Sequence, residues 1–92
     1  ESKFKIKAKK SREIKRAIDR GEFLLYYQPV IDIKSSNIVA FESLIRWKPP
    51  HSAILTPESF LPYILDNPEI ICYLGRWVID SVFSQYEKWL SN

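Results

Sequence analysis

Residues 38–47 read Ile38-Val39-Ala40-Phe41-Glu42-Ser43-Leu44-Ile45-Arg46-Trp47. With the two-residue period of a strand they divide into two unlike faces. Val39, Phe41, Ser43, Ile45 and Trp47 make one face, almost wholly apolar, while Ile38, Ala40, Glu42, Leu44 and Arg46 make the other. A carboxylate, a leucine and a guanidinium therefore follow one another along one side at steps of roughly 6–7 Å. If that side meets solvent, this is an ordinary half-buried strand. If it meets the mouth of a barrel, a carboxylate and a guanidinium there suit a metal ion and a phosphate.

Working outward, residues 23–33 form a second apolar, aromatic run, interrupted by Gln28-Pro29. Proline cannot donate to a ladder and marks an edge or a bulge. Between the runs, Lys34-Ser35-Ser36-Asn37 makes a turn, with Asn37 the residue best suited to positive φ. The spacing predicts an antiparallel hairpin over residues 23–47. Gln28, a polar side chain inside an apolar strand, reads either as a group satisfied by a neighbouring amide or solvent, or as a ligand contact.

Further out on the N-terminal side, Ser11 can cap a helix with Glu13 in its first turn. Ile14, Ala17 and Ile18 give that helix a narrow apolar stripe, and Gly21 stands where a left-handed C-terminal cap belongs. The helix is expected over residues 11–20. Before it, Phe4, Ile6 and Ala8 alternate with lysines as a frayed strand or a linker. On the C-terminal side, Lys48-Pro49-Pro50-His51-Ser52-Ala53 is a loop, and its lone histidine has no metal-ligand spacing around it. Thr56-Pro57-Glu58 opens a helix buried through Phe60, Leu61 and Ile64, which Pro62 should kink or shorten. Asn67-Pro68 opens the longest helix, about 20 residues, with Ile71, Leu74, Val78, Val82, Tyr86 and Trp89 at three- and four-residue spacing. Gly75 within it suggests close packing, and Cys72, Trp77 and Trp89 read as core.

The blocks Arg20-Gly21-Glu22-Phe23-Leu24-Leu25-Tyr26-Tyr27-Gln28-Pro29-Val30, Phe41-Glu42-Ser43-Leu44-Ile45-Arg46-Trp47, Leu55-Thr56-Pro57-Glu58-Ser59-Phe60-Leu61-Pro62 and Leu74-Gly75-Arg76-Trp77-Val78-Ile79 occur in order. Together they resemble the EAL domain, the bacterial cyclic-di-GMP phosphodiesterase family, across roughly residues 12 to 90. Ser43 stands in place of the alanine of the family's name, and Leu65 where many relatives carry a glutamate. The resemblance implies an α/β fold, the N-terminal fragment of a (β/α)8 TIM-like barrel made of a helix, an antiparallel β-hairpin and two helices. Such barrels need about 250 residues, so the chain looks like the first third of an enzyme, with residues 1–10 a basic linker or arm and 11–92 a partial EAL domain.

By the same resemblance Glu42 is a ligand to Mg2+ or Mn2+, Arg46 holds a substrate phosphate, Leu44 packs on a guanine and Gln28 hydrogen-bonds near the same ligand. The implied reaction opens cyclic di-GMP to linear pGpG with metal-activated water. No catalytic set is complete within the chain, and the chain alone is expected to be inactive. The alternative is an inactive EAL remnant that binds a protein partner or, weakly, cyclic di-GMP. An unrelated basic α+β module is the third reading.

Composition bounds these readings. Ninety-two residues, 46% hydrophobic with three Trp, five Tyr and five Phe, make one small domain that folds, burying about 60–65% of its unfolded surface. The single Cys72 excludes an intrachain disulfide and fits a reducing compartment. No apolar run of about 20 residues occurs, so no membrane segment is expected and a cytoplasmic location is. Net charge is +3, and residues 3–20 hold nine of the cations against Glu13 and Asp19. Such an arm can meet nucleic acid or an anionic membrane, but no nucleic-acid-binding motif accompanies it, and a solvated linker is the simpler reading. The expected partners are cyclic di-GMP and either the rest of the EAL domain or a second copy.

Overall fold

A computed structural model describes residues 2–91. Its elements run α1 (Lys3–Asp19), β1 (Phe23–Ile31), β2 (Ile38–Trp47), a 3-10 turn (Pro57–Ser59), α2 (Leu61–Leu65) and α3 (Pro68–Leu90). The helix–hairpin–helices order is the one expected.

The first helix begins eight residues earlier than its apolar stripe predicts. Ser2, not Ser11, is the N-cap, and its side chain accepts from the Lys5 amide at 3.2 Å. The lysine-rich stretch before Ser11 is helical, not a frayed strand. It holds no glycine or proline to stop a helix, and lysine and alanine are good helix formers. Ser11 lies inside the helix, 6% exposed, and its hydroxyl donates to the Tyr63 carbonyl at 3.2 Å. The stripe itself is as expected, with Ile14, Ala17 and Ile18 all buried. At the C-terminus Gly21 takes φ 74°, the Glu22 amide donates to the Ala17 carbonyl (3.0 Å), and the Gly21 amide to that of Ile18 (3.1 Å). This double bond pattern satisfies carbonyls the helix leaves open and turns the chain into β1.

The hairpin is antiparallel with Phe23 opposite Trp47, Leu25 opposite Ile45, Tyr27 opposite Ser43 and Pro29 opposite Phe41. Between Val30 and Ile31 the register slips, so Val39 has no partner. That bulge sits just beyond Pro29, where the missing donor weakens the ladder. β1 ends at Ile31, not residue 33. The turn is closed by Asp32, whose carboxylate accepts from the Ser35 amide (3.0 Å) and hydroxyl (2.6 Å). Ser36, not Asn37, has positive φ (60°), because the Asn37 carbonyl already accepts from the Asp32 amide at 2.8 Å and holds Asn37 in the ladder.

Past the loop, Trp47 and Leu55 exchange backbone hydrogen bonds at 3.0 and 2.7 Å. The helix expected at Thr56 is split into a 3-10 turn and the five-residue α2, with Pro57 and Pro62 near the two starts. Phe60 and Ile64 are buried, while Leu61 is exposed. In α3 the Asn67 side chain accepts from the Ile70 amide (3.3 Å), and Pro68 takes the first helical position. Its stripe divides. Ile70 and Leu74 are buried, and Trp77 and Val78 pack on the core. Ile71, Val82, Tyr86 and Trp89 stay exposed, so Trp89 is no core residue. Cys72 is exposed too, on the helix side turned from the core. A Cβ at Gly75 would meet nothing within 4 Å, so close packing is not its reason.

Aromatic packing centres the core. Phe23 and Trp47 stack at 5.4 Å, and Phe60 meets their edges at 5.3 and 6.1 Å. The radius of gyration is 16.0 Å, against about 12 Å for a compact domain of this length. The excess comes from the elongated shape, 55 × 28 × 27 Å.

Candidate functional site on the outer hairpin face

The register fixes which side chains share a face, because directly opposed residues in an antiparallel pair point the same way. Phe23, Leu25, Tyr27, Ser43, Ile45 and Trp47 look toward the helices, as the contacts of Trp47 with Phe60 and of Tyr27 with Trp89 show. The other face therefore carries four rungs in order: Leu24 with Arg46, Tyr26 with Leu44, Gln28 with Glu42, and Val30 with Ala40. Glu42, Leu44 and Arg46 thus lie on one side and Phe41, Ile45 and Trp47 on the other, as period two predicts. Gln28 stands directly across from Glu42, so the four residues singled out by sequence share one face.

Their settings differ. Gln28 and Glu42 are exposed, whereas Leu44 and Arg46 are half-buried. The Arg46 guanidinium donates to the Ile45 carbonyl at 2.7 Å, which leaves other donors of its fork free for an anion. Glu58, from the 3-10 turn, is close enough to feel that charge. Its carboxyl is held below the usual glutamate range, first by the Thr56 hydroxyl, then by its own amide, and least by Arg46.

The base of the face is held firmly. The Trp47 indole donates to the Glu22 carboxylate (3.0 Å), and the Lys48 amide to the Glu22 carbonyl (2.8 Å). With the Leu55 bridge, these bonds tie down β2 on both sides of Trp47. Sequence reasoning passed over Tyr26 and Glu58. Tyr26 was legible by parity with Gln28 once the hairpin register was drawn. Nothing in the sequence brings Glu58 to Arg46, since only the path of the 48–56 loop does so.

Among the described residues, no three His, Cys, Asp or Glu side chains come together as a metal cluster. His51 is exposed on the loop, and among the described residues no helix is long and apolar enough to cross a membrane.

The comparisons with known proteins agree with this geometry. The EAL domain model matches residues 11–92. The bifunctional diguanylate cyclase/cyclic di-GMP phosphodiesterase MucR of Pseudomonas aeruginosa is 31% identical over 80 residues, 87% of this chain and 12% of that protein. The cyclic di-GMP phosphodiesterase PdeR of Escherichia coli is 32% identical over 76 residues, covering 83% and 11%. Among solved structures, the PaMucR phosphodiesterase in complex with c-di-GMP superposes with a TM-score of 0.76 at 29% identity, over 90% of this chain and 33% of that one. The chain spans about a tenth of the length of the curated relatives it matches. Four sequence blocks, a hairpin in one register and a shared backbone converge on one conclusion: the chain belongs to the EAL domain family.

Proposed function

We propose that this chain is the opening part of a cyclic-di-GMP phosphodiesterase domain, its hairpin supplying the first strands of a (β/α)8 barrel. In this reading residues 11–92 are the EAL portion and residues 1–10 are a basic arm, of which residues 3–10 extend the leading helix. The observation that carries it is the shared face of Gln28, Glu42, Leu44 and Arg46. Along that face a guanidinium, an apolar rung and a carboxylate–amide rung follow one another, which suits a phosphate, a base and a cation.

Mg2+ and Mn2+ prefer hard oxygen donors, and the exposed Glu42 carboxylate is one, with the Gln28 amide oxygen beside it. One carboxylate fits as a single ligand and not as a whole site, so the remaining ligands come from outside the described residues. Such ions, when bound, neutralise phosphate charge and make water acidic enough to ionise near neutral pH. The chain's own residues then have three tasks. Arg46 holds a phosphate through its forked donors, Leu44 supports a guanine face, and Gln28 hydrogen-bonds at the Glu42 end. An apolar groove of about 470 Å³ between the hairpin and the helices, lined by Leu25, Ile45, Ile64, Leu74 and Val78, is a surface that the rest of a barrel or a second copy would cover. A cytoplasmic setting agrees with the single free cysteine.

The test places residues 11–92 in the corresponding position of the MucR phosphodiesterase domain and follows pGpG release with Mg2+ or Mn2+. The chimera hydrolyses cyclic di-GMP, Glu42→Ala reduces turnover to background, and Arg46→Ala weakens substrate use by about 1.5–3 kcal/mol. Turnover unchanged in Glu42→Ala overturns the metal role. An intact, folded chimera with no turnover favours the inactive remnant.

A further inference from the structure

The rung between the Arg46 end and the Glu42 end is Tyr26 opposite Leu44, and nothing in the fold explains the tyrosine. Its neighbours on β1, Leu25 and Tyr27, point to the helices, where Tyr27 meets the edge of Trp89 at 5.2 Å. Tyr26 points away from them and is 46% exposed. Its hydroxyl has no hydrogen-bond partner among the described residues. A buried or structural tyrosine ordinarily ties its hydroxyl to a partner and covers its ring, whereas this one leaves its hydroxyl unpaired among the described residues and nearly half its surface open. We propose that Tyr26 is a substrate-contacting residue: its ring and the Leu44 side chain form a single platform for one purine base of a cyclic dinucleotide.

This deepens the phosphodiesterase reading and rests on it. Cross-strand partners have Cβ atoms about 4.5–5.5 Å apart, so ring and leucine lie side by side, together about as wide as a fused two-ring base. Leucine alone offers an edge of methyl groups. The added ring offers a π-face, and base–aromatic stacking exceeds simple area burial. The order along the face also fits a nucleotide. Arg46 lies one rung to one side and the Gln28–Glu42 rung lies to the other, each about 6–7 Å away along the strands. A base seated on the middle rung therefore has a phosphate-binding fork and a carboxylate–amide pair within reach. The platform selects for base size, because a one-ring pyrimidine covers only half of it.

The experiment is an NMR titration of the 92-residue chain with cyclic di-GMP to millimolar concentration, with cyclic di-UMP and inorganic phosphate as comparison probes. Tyr26 ring signals and Leu44 methyl signals are expected to move together with cyclic di-GMP on one binding curve. Cyclic di-UMP should bind several-fold more weakly, and phosphate should move Arg46 without Tyr26. Tyr26→Phe keeps the affinity within about twofold, while Tyr26→Ala weakens it about tenfold, within the range of one lost stacking contact. Unchanged Phe23 and Trp47 ring signals show that each variant keeps its fold. Leu44 and Arg46 responding while Tyr26 stays still, or Tyr26→Ala binding as well as the parent, overturns the platform and leaves the phosphodiesterase reading standing. No response at Leu44 or Arg46 overturns the platform together with the base and phosphate contacts assigned to these two residues.

Discussion

The two ends of the hairpin are made of similar residues and have different fates. At the base, Phe23 and Trp47 are 3% and 5% exposed, closed in by Phe60 and Trp77. Toward the tip, Tyr27 and Phe41 gather round Trp89 at 5.2 and 4.7 Å, yet Phe41 and Trp89 remain 48% and 42% exposed. Ring contact is equally good at both ends. At the base, α1, α2 and α3 all meet the sheet, and at the tip only the last turns of α3 do. Burial follows the number of elements that converge, so an aromatic residue is core by location and not by type.

Truncating a ring at each end is the sharpest way to break this contrast. Phe60→Ala, at a wholly buried position, is expected to cost about 3–5 kcal/mol. Trp89→Ala should cost about 0.5–1.5 kcal/mol, the scale of an exposed aromatic pair. Denaturant unfolding of both variants decides it, and equal losses would mean that the tip is covered in solution. Gly75 probes the groove between the two ends. With open space where its Cβ would stand, Gly75→Ala should stabilise the chain by about 1 kcal/mol through helix propensity. A loss of stability on thermal melting would show the groove filled by another chain.

The smallest effect lies in the turn. The Ser35 hydroxyl, and after it the Ser35 amide, hold the Asp32 carboxyl below the usual aspartate range. A group depressed on folding contributes stability above its unfolded pKa, about 3.9, and loses it as pH falls through the folded value. Protection of the Ser35 amide should therefore be constant from pH 7 to 5 and fall off at lower pH. Asp32→Asn should remove that acid-dependent step.

The two-residue period from Ile38 to Trp47 made the faces of β2 legible, because only one register turns Phe41, Ile45 and Trp47 together toward the helices. The caps at Gly21 and Asn67 were legible for the same local reason. Elsewhere local signals competed. Phe4, Ile6 and Ala8 alternate like a strand, but Ser2 caps a helix and Lys7 is tied to Asp66 at 2.6 Å, a contact no short window of sequence contains. Ser11 has the chemistry of a cap and is used instead to bind the Tyr63 carbonyl. Cys72 and Trp89 look internal because α3 is apolar on several sides, but among the described residues no second layer covers those sides. Gln28, Glu42, Leu44 and Arg46 were named by family likeness. Their common face follows from pairing, which also brings Tyr26 among them.

The clamp around Trp47 gives the hairpin the mechanics of a beam fixed at one end. Glu22 and Leu55 pin its root, whereas the turn at Ser35 and Ser36 is tied only to itself. Deflection of such a beam grows with distance from the support. Arg46 adjoins the root, and Glu42 lies four residues farther out beside Phe41, whose ring meets Trp89 at 4.7 Å, so α3 props the beam at mid-span and its free length begins only beyond Phe41.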